Sequence, residues 1–270
     1  MISRPCIGGD AAPVHTTAPR IFSPEYYQRL ARWEQDHPWA KHMQLLALAL
    51  LERYGAGAPQ RALDAGCGAG HFTLLWCERH RIPVTVGLDY SCDGLRLGQQ
   101  RGLRLLAAGT LSALPLRSAS FDAVHCGDVL QHLAEDRAAA AMGEFARVLR
   151  SGGILVIRTA ARRGLGAKKH RDSPEYRQWE PAALRAGLER CGLRVEWMSK
   201  VNWLPSLAAD LDAWARPAPE GDPGLPPPEL PRGPRRRLLE AYWRLEAAAL
   251  LRLAWRLPGG HTLLCLARKP

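Results

Sequence analysis

The segment ALDAGCGAGHF, residues 62–72, constrains this chain more than any other. Gly66, Gly68 and Gly70 stand at alternate positions between a short apolar run and a helical one. Glycine reaches positive φ without steric cost, so the spacing predicts a tight strand-to-helix turn whose backbone a ligand approaches closely. The following helix presents free N–H groups in its first turn. Dinucleotide-binding enzymes use the related G-x-G-x-x-G, so a glycine-rich turn alone is a weak sign. Here the spacing is G-x-G-x-G, and an acid, Asp64, precedes it. The next apolar run, VTVGLD, ends on Asp89. A carboxylate at such a strand end is placed to accept hydrogen bonds from the vicinal hydroxyls of a ribose.

Around this turn, short apolar runs alternate with helical stretches: 62–64, 84–89, 121–126 and 152–160. That alternation predicts an α/β fold, a parallel sheet flanked by helices. Upstream, residues 22–54 repeat apolar positions at helical steps (Tyr26, Leu30, Trp33, then Leu45, Leu46, Ala49, Leu50), and His37-Pro38 splits them into two helices. Downstream come a basic loop at 162–173, a helix at about 181–191 and a strand at about 193–200. Residues 216–234 are too rich in Pro and Gly for regular structure. A basic amphipathic helix at 235–257 and a last strand at 261–269 follow. The reading is therefore a mobile tail (1–20), an N-terminal helical cap (21–58), a ligand-binding core (59–161), and a substrate-side remainder of the same domain (162–270).

No apolar run approaches the roughly 20 residues that span a bilayer, and the N-terminus lacks a secretory pattern. Seven cysteines, never in a close pair, argue against a disulfide framework or a metal centre and place the chain in a reducing cytoplasm. The net charge of +11 suits a nucleic acid, an anionic membrane surface or an acidic substrate, and equally an Arg-rich solvated surface.

DAGCGAG (64–70) together with GLDYS (87–91), LSALPLRSASFDAVHCGDVLQHL (111–133) and FARVLRSGGILVIRTA (145–160) resembles the type 11 group of class I S-adenosylmethionine-dependent methyltransferases. EQDHPWAKHM (34–43) is similar to a Glu-x-x-His-aromatic-Trp segment of a bacterial subset. The resemblance implies a Rossmann-like seven-stranded, mostly parallel sheet with an antiparallel last strand. It implies S-adenosylmethionine as cofactor, its methionine part on Asp64, Gly66, Cys67, Gly68 and Gly70 and its ribose on Asp89. Tyr90 would flank the adenine, Cys126 would line the cofactor from the end of the fourth strand, and Leu111 and Asp128 are further expected cofactor contacts. Thr110 stands where many relatives carry an acid at the adenine amino group, a departure that removes a charge from that contact.

The sulfonium is already a strong methyl donor, so alignment and water exclusion carry most of the catalysis. A general base helps a hydroxyl or protonated amine, and His132 and His170 are the candidates. Trp39 and Trp179 are the candidate aromatic lid over a substrate. The implied acceptor is a small molecule, a lipid-linked intermediate or a glycan-type metabolite, with O, N or C as nucleophile. Three readings compete: a nucleic-acid methyltransferase, disfavoured by the absence of an RNA-binding motif or an N-P-P-Y-like run; a nicotinamide-dependent dehydrogenase, disfavoured by the glycine spacing; and a non-catalytic protein of the same fold, to which Thr110 gives a foothold. The helix at 235–257, with Trp among Arg, suits an anionic membrane interface, the sheet, or a second subunit. Oligomeric state has no sequence signal.

Overall fold

The computed structural model describes residues 23–55, 59–162, 176–215, 233–253 and 256–270. Two helices open it, α1 (Pro24–Asp36) and α2 (Pro38–Tyr54). Ser23 caps α1 by accepting from the Tyr26 amide, and each helix begins on a proline, whose missing N–H is no loss there. The break falls at His37, as the X-Pro restriction demands.

Seven strands form one sheet in the order β3-β2-β1-β4-β5-β7-β6. They are β1 (Arg61–Ala65), β2 (Val84–Asp89), β3 (Leu106–Ala108), β4 (Phe121–Gly127), β5 (Leu149–Ala160), β6 (Arg194–Val201) and β7 (Thr262–Arg268). β1 to β5 pair in parallel, and β7 runs antiparallel between β5 and β6. Helices α3 (His71–His80), α4 (Cys92–Gln100), α5 (Glu135–Val148) and α6 (Pro181–Arg190) connect the strands. The expected fold is the observed one. β3 is an addition, as is α7 (Trp203–Ala215), while the amphipathic helix is α8 (Pro234–Arg252). Residues 216–232 of the Pro-rich excursion, the basic loop beyond Arg162 and residues 1–22 lie outside the described residues.

The sheet is apolar on both faces, which is what a parallel sheet covered by helices requires. One face carries Leu63, Val124, Leu155, Phe145, Met142 and Leu188 with α5 and α6. The other buries Leu46, Leu50, Trp76, Val156, Trp197 and Leu250 with α2, α3 and α8. α8 turns Trp243, Glu246 and Leu250 inward and leaves Leu238 and Leu245 exposed. Buried Glu246 accepts hydrogen bonds from the Asn202 and Trp203 amides at 2.8 and 2.9 Å, supplying α7 with a cap from another helix. Among the described residues no helix is long and apolar enough to cross a membrane.

Candidate functional site

The strand order reverses direction at β1 and β4, and in open parallel sheets that crevice, at the carboxyl ends of the strands, is where ligands bind. The glycine turn sits there. Gly66, Gly68 and Gly70 all have positive φ (85°, 54° and 75°), so the predicted left-handed turn is real and needs glycine. The amides of Gly66 and Cys67 both donate to the Leu88 carbonyl, which fastens the turn to β2. A Cβ added at Gly66 would lie 2.3 Å from Val129 Cγ2, whereas one at Gly68 would meet nothing closer than 3.8 Å. A Cβ at Gly68 would thus rest in ordinary contact with Leu30 and Tyr27 of α1, whereas Gly66 is wedged against the loop after β4.

Two buried acids hold this turn from below. Asp64 Oδ2 accepts from Thr73 Oγ1 at 2.6 Å and Oδ1 pairs with His125 Nδ1 at 2.8 Å. Both oxygens are thus engaged within the protein, tying β1 to α3 and β4, and His125 stacks on Phe72 at 3.7 Å. Asp89 accepts from the Gly68 amide at 2.8 Å, the Ser91 amide at 2.9 Å and the Tyr27 hydroxyl at 3.3 Å. Burial pushes the Asp89 carboxyl above the usual carboxylate range, opposed by these hydrogen bonds. A carboxylate has about four acceptor positions, so three are taken. Tyr27, fully inside on α1, is a contact that the sequence reading missed.

Of the other expected cofactor residues, Tyr90 is about half exposed beside Asp89, and Cys67 and Cys126 are buried with their thiols pushed up by burial. Thr110 is exposed, its hydroxyl 3.4 Å from that of Ser112, and Leu111 is buried next to it. Asp128, at φ 56°, is ion-paired at 2.5 Å with Arg158 from β5. Asp128 thereby belongs to a β4–β5 pair at the mouth of the crevice.

α1 and α2 roof the same crevice. Arg101 reaches α1 through the Ala31 carbonyl and Gln35. Trp39 lies 5.5 Å from Trp33, 6.3 Å from His261 and 5.8 Å from the Arg158 guanidinium, ring centre to partner. The Glu34 side chain, on α1, points inward: its Oε2 is closed to solvent and has no hydrogen-bond partner. Burial pushes its carboxyl up to about 8, with Arg158 and Arg101 opposing and Asp64 and Asp128 adding to the rise.

Trp179 is buried, its backbone bridging Ala161 at the end of β5. His132 ends a single 3-10 turn, Leu130–His132, with its ring edge-on to Tyr176 at 5.5 Å. Gln131 holds that turn to β5 by accepting from Thr159 and the Ala160 amide. The structure thus gathers the glycine turn, Asp89, Tyr90, Asp128 and Trp39 around one crevice. His170 lies outside the described residues. Among the described residues no cluster has the makings of a metal site. An open cavity of about 560 Å³ lies at the opposite, amino ends of the strands, between Gln60, His80, Asp122 and Arg268.

Comparison with known proteins gives this crevice a context. Residues 63–157 match a family model described as a methyltransferase domain. A demethylmenaquinone methyltransferase of Thermus thermophilus is 34% identical over 146 residues, covering 52% of this chain and 60% of that protein. A Mus musculus protein named "Probable tRNA methyltransferase 9B" is 34% identical over 95 residues, covering 35% of this chain and 20% of that protein. The chain thus spans between a fifth and three fifths of the length of these curated relatives. Among solved structures, a SAM-dependent methyltransferase from Archaeoglobus fulgidus superposes with a TM-score of 0.59 at 17% identity, covering 90% of this chain and 100% of that one. At that identity the likeness speaks for the fold.

Proposed function

We propose that this chain, whose residues 63–157 match a methyltransferase-domain family model, is a class I S-adenosylmethionine-dependent methyltransferase whose crevice at the ends of β1, β2 and β4 binds that cofactor and directs methyl transfer to an acceptor held under α1 and α2. The observation that carries the reading is the glycine turn, at positive φ through Gly66, Gly68 and Gly70, with the Gly68 amide bound at 2.8 Å to the buried carboxylate of Asp89 at the end of β2.

The residues present fit the group. Gly68 lets a ligand touch the backbone, and Asp89 has one acceptor position free with a second held only by the long Tyr27 contact. Two ribose hydroxyls would thus be accommodated once Tyr27 withdraws its hydroxyl. Half-exposed Tyr90 offers an aromatic face for the adenine, and Leu111 an apolar one. When bound, S-adenosylmethionine supplies an electrophilic methyl on sulfur.

The chain's own contribution is placement. Asp64 is spent on Thr73 and His125, and its part is to hold β1, α3 and β4 in register beneath the turn. The Asp128–Arg158 pair fixes the loop after β4 on the acceptor side. Trp33 and Trp39 roof the space and exclude water, which strengthens electrostatic contacts within it. His132, half-buried beside Tyr176, is the described side chain best placed to take a proton from a hydroxyl or amine acceptor. The acceptor class this supports is a small-molecule, lipid-linked or glycan-type nucleophile, because the roof is aromatic and close.

The net charge of +11 and the likeness to the mouse protein favour a second reading, a nucleic-acid acceptor. Salt-sensitive micromolar RNA or DNA binding would select it. The first experiment is calorimetry of S-adenosylmethionine and S-adenosylhomocysteine against the wild type and Asp89→Ala. Micromolar binding that weakens at least about tenfold in the variant supports the reading. Equal binding by both proteins, or none by either, overturns it.

A further inference from the structure

Exposed apolar side chains scattered singly are ordinary, but a contiguous group rimmed by charge of one sign marks an interaction surface. α8 builds such a group. Successive helical residues lie about 100° apart, so Leu238, Ala241 and Leu245 share one side of it. By the same register Arg252 lies in line with them, Arg235 on one flank, and Arg237 and Arg244 on the other. Leu238 and Leu245 are each 71% exposed, and these four arginines are exposed as well. The two acids of the helix are turned away: Glu246 is buried and Glu240 pairs with Arg236 at 2.9 Å. The outward side of α8 is leucine and arginine without an acid. Trp243 is packed inward against His42, so leucines, not the tryptophan, carry the apolar character of that side.

α7 extends the surface. Leu204, Leu207 and Leu211 recur at i, i+3 and i+7 and are exposed by 49%, 39% and 60%. The two stripes meet at Tyr242. Its hydroxyl accepts from the Leu204 amide at 3.1 Å, and Leu238 and Leu245 are its neighbours one turn before and one turn after. α7 leaves β6 at the end of the sheet where the crevice lies, since Val201 and Ala160 both register with Thr262. Ser206 of α7 hydrogen-bonds His261, whose ring lies 6.3 Å from that of Trp39 in the roof.

We propose that the outward sides of α7 and α8 form a docking surface for an anionic lipid bilayer, the leucines entering the boundary between headgroups and acyl chains and the arginines meeting lipid phosphates. Charge complementarity selects this occupant. Arginine lays its apolar stem along such a surface and keeps its guanidinium at phosphate depth. A nucleic acid would engage the arginines through its phosphates and stack on aromatic faces, leaving the leucines in water. A second copy related by a two-fold axis would set arginine against arginine. Neither helix is long and apolar enough to cross a bilayer, so the contact is with its surface. This surface is independent of the cofactor reading, although it brings a bilayer beside the roof of the crevice.

Co-sedimentation of the full chain with vesicles tests the proposal, comparing equal parts of phosphatidylglycerol and phosphatidylcholine with phosphatidylcholine alone. The wild type is expected to bind the anionic vesicles about tenfold or more tightly than the neutral ones, and more weakly as salt is raised. Leu238→Gln/Leu245→Gln keeps helix propensity and charge, and is expected to weaken binding to anionic vesicles about tenfold or more. Arg237→Gln/Arg244→Gln is expected to weaken it by a similar factor and to leave binding to neutral vesicles unchanged. All four positions are exposed, so both variants are expected to melt with the wild type. No binding to anionic vesicles at low salt, or equal binding by the wild type and the leucine variant, would overturn the proposal. So would a dimer in sedimentation velocity, or a salt-sensitive RNA complex, that these substitutions abolish while vesicles stay unbound.

Discussion

Two glycines of one turn differ in what a single methyl group meets, and the difference separates stability from binding. In Gly66→Ala the new Cβ lies 2.3 Å from Val129 Cγ2, with Val129 Cβ and Cγ1 at 3.2 and 3.3 Å. Valine is stiff at χ1, so the loop after β4 has to shift. Left-handed backbone costs an alanine about 1–2 kcal/mol and forced repacking about 1–3 kcal/mol, together about 2–5 kcal/mol. In Gly68→Ala only the first cost applies, because the nearest atoms stand at 3.8 and 3.9 Å. At about 2–4 °C per kcal/mol for a chain near this size, Gly68→Ala melts about 2–8 °C below wild type and Gly66→Ala lower still. Binding shows a different pattern. On the proposed cofactor reading the Gly68 methyl stands where the ligand would approach the turn's backbone, so S-adenosylhomocysteine affinity drops about tenfold or more although the fold is intact. Thermal unfolding followed by tryptophan fluorescence and titration calorimetry on the same preparations measure both. A Gly66→Ala protein as stable as Gly68→Ala would refute the Val129 wedge. Wild-type affinity in Gly68→Ala would refute a ligand seated against the turn at Gly68.

Three further outcomes follow from named contacts. Tyr27→Phe removes the phenol that competes for Asp89, so S-adenosylhomocysteine binds about fivefold tighter by calorimetry, and weaker binding would mean the phenol serves the ligand. Glu246→Ala strips the cap from α7 and orphans the buried Asn202 amide, costing about 2–4 kcal/mol in chemical denaturation with ligand affinity unchanged; a loss under about 0.5 kcal/mol would discount the cap. Thr110→Asp restores the acid at the adenine edge and raises cofactor affinity about fivefold, whereas an unchanged value in a titration would place the adenine elsewhere.

The elements legible in the sequence are those with a strong local signature. Glycines at alternate positions mark the β1–α3 turn, and buried runs such as those of β4 and β5 can only be central strands once helices flank them. β3 escaped because three residues, Leu106–Ala108, are too few to show a period. α7 escaped because Pro205 reads as a breaker, although in a first turn it is tolerated. The helical character of α1 was plain, but its inward face was read one residue off. The sequence stripe runs through Tyr26, Leu30 and Trp33, whereas Tyr27 and Ala31 are the buried residues and Glu34 points in with them. Apolar periodicity finds the face that meets a core. Part of α1 lies instead on a polar crevice, so its inward side carries a phenol and a carboxylate, which that rule assigns to water. Asp64 and Asp89 show the converse limit: both read as ligand contacts, and only coordinates reveal that Asp64 already has its two partners inside the protein.

Because Tyr27 seals Asp89 and Arg101 ties the same helix to the end of α4, occupancy of the crevice and docking of α1 form a single linked equilibrium. Linkage of this kind governs time as well as affinity. If the proposed cofactor sits beneath α1, its escape waits on the lifting of that helix. Ligands of quite different strength would then depart at a common rate set by the roof, and the pace of turnover would be tuned by the Arg101 tie to α1.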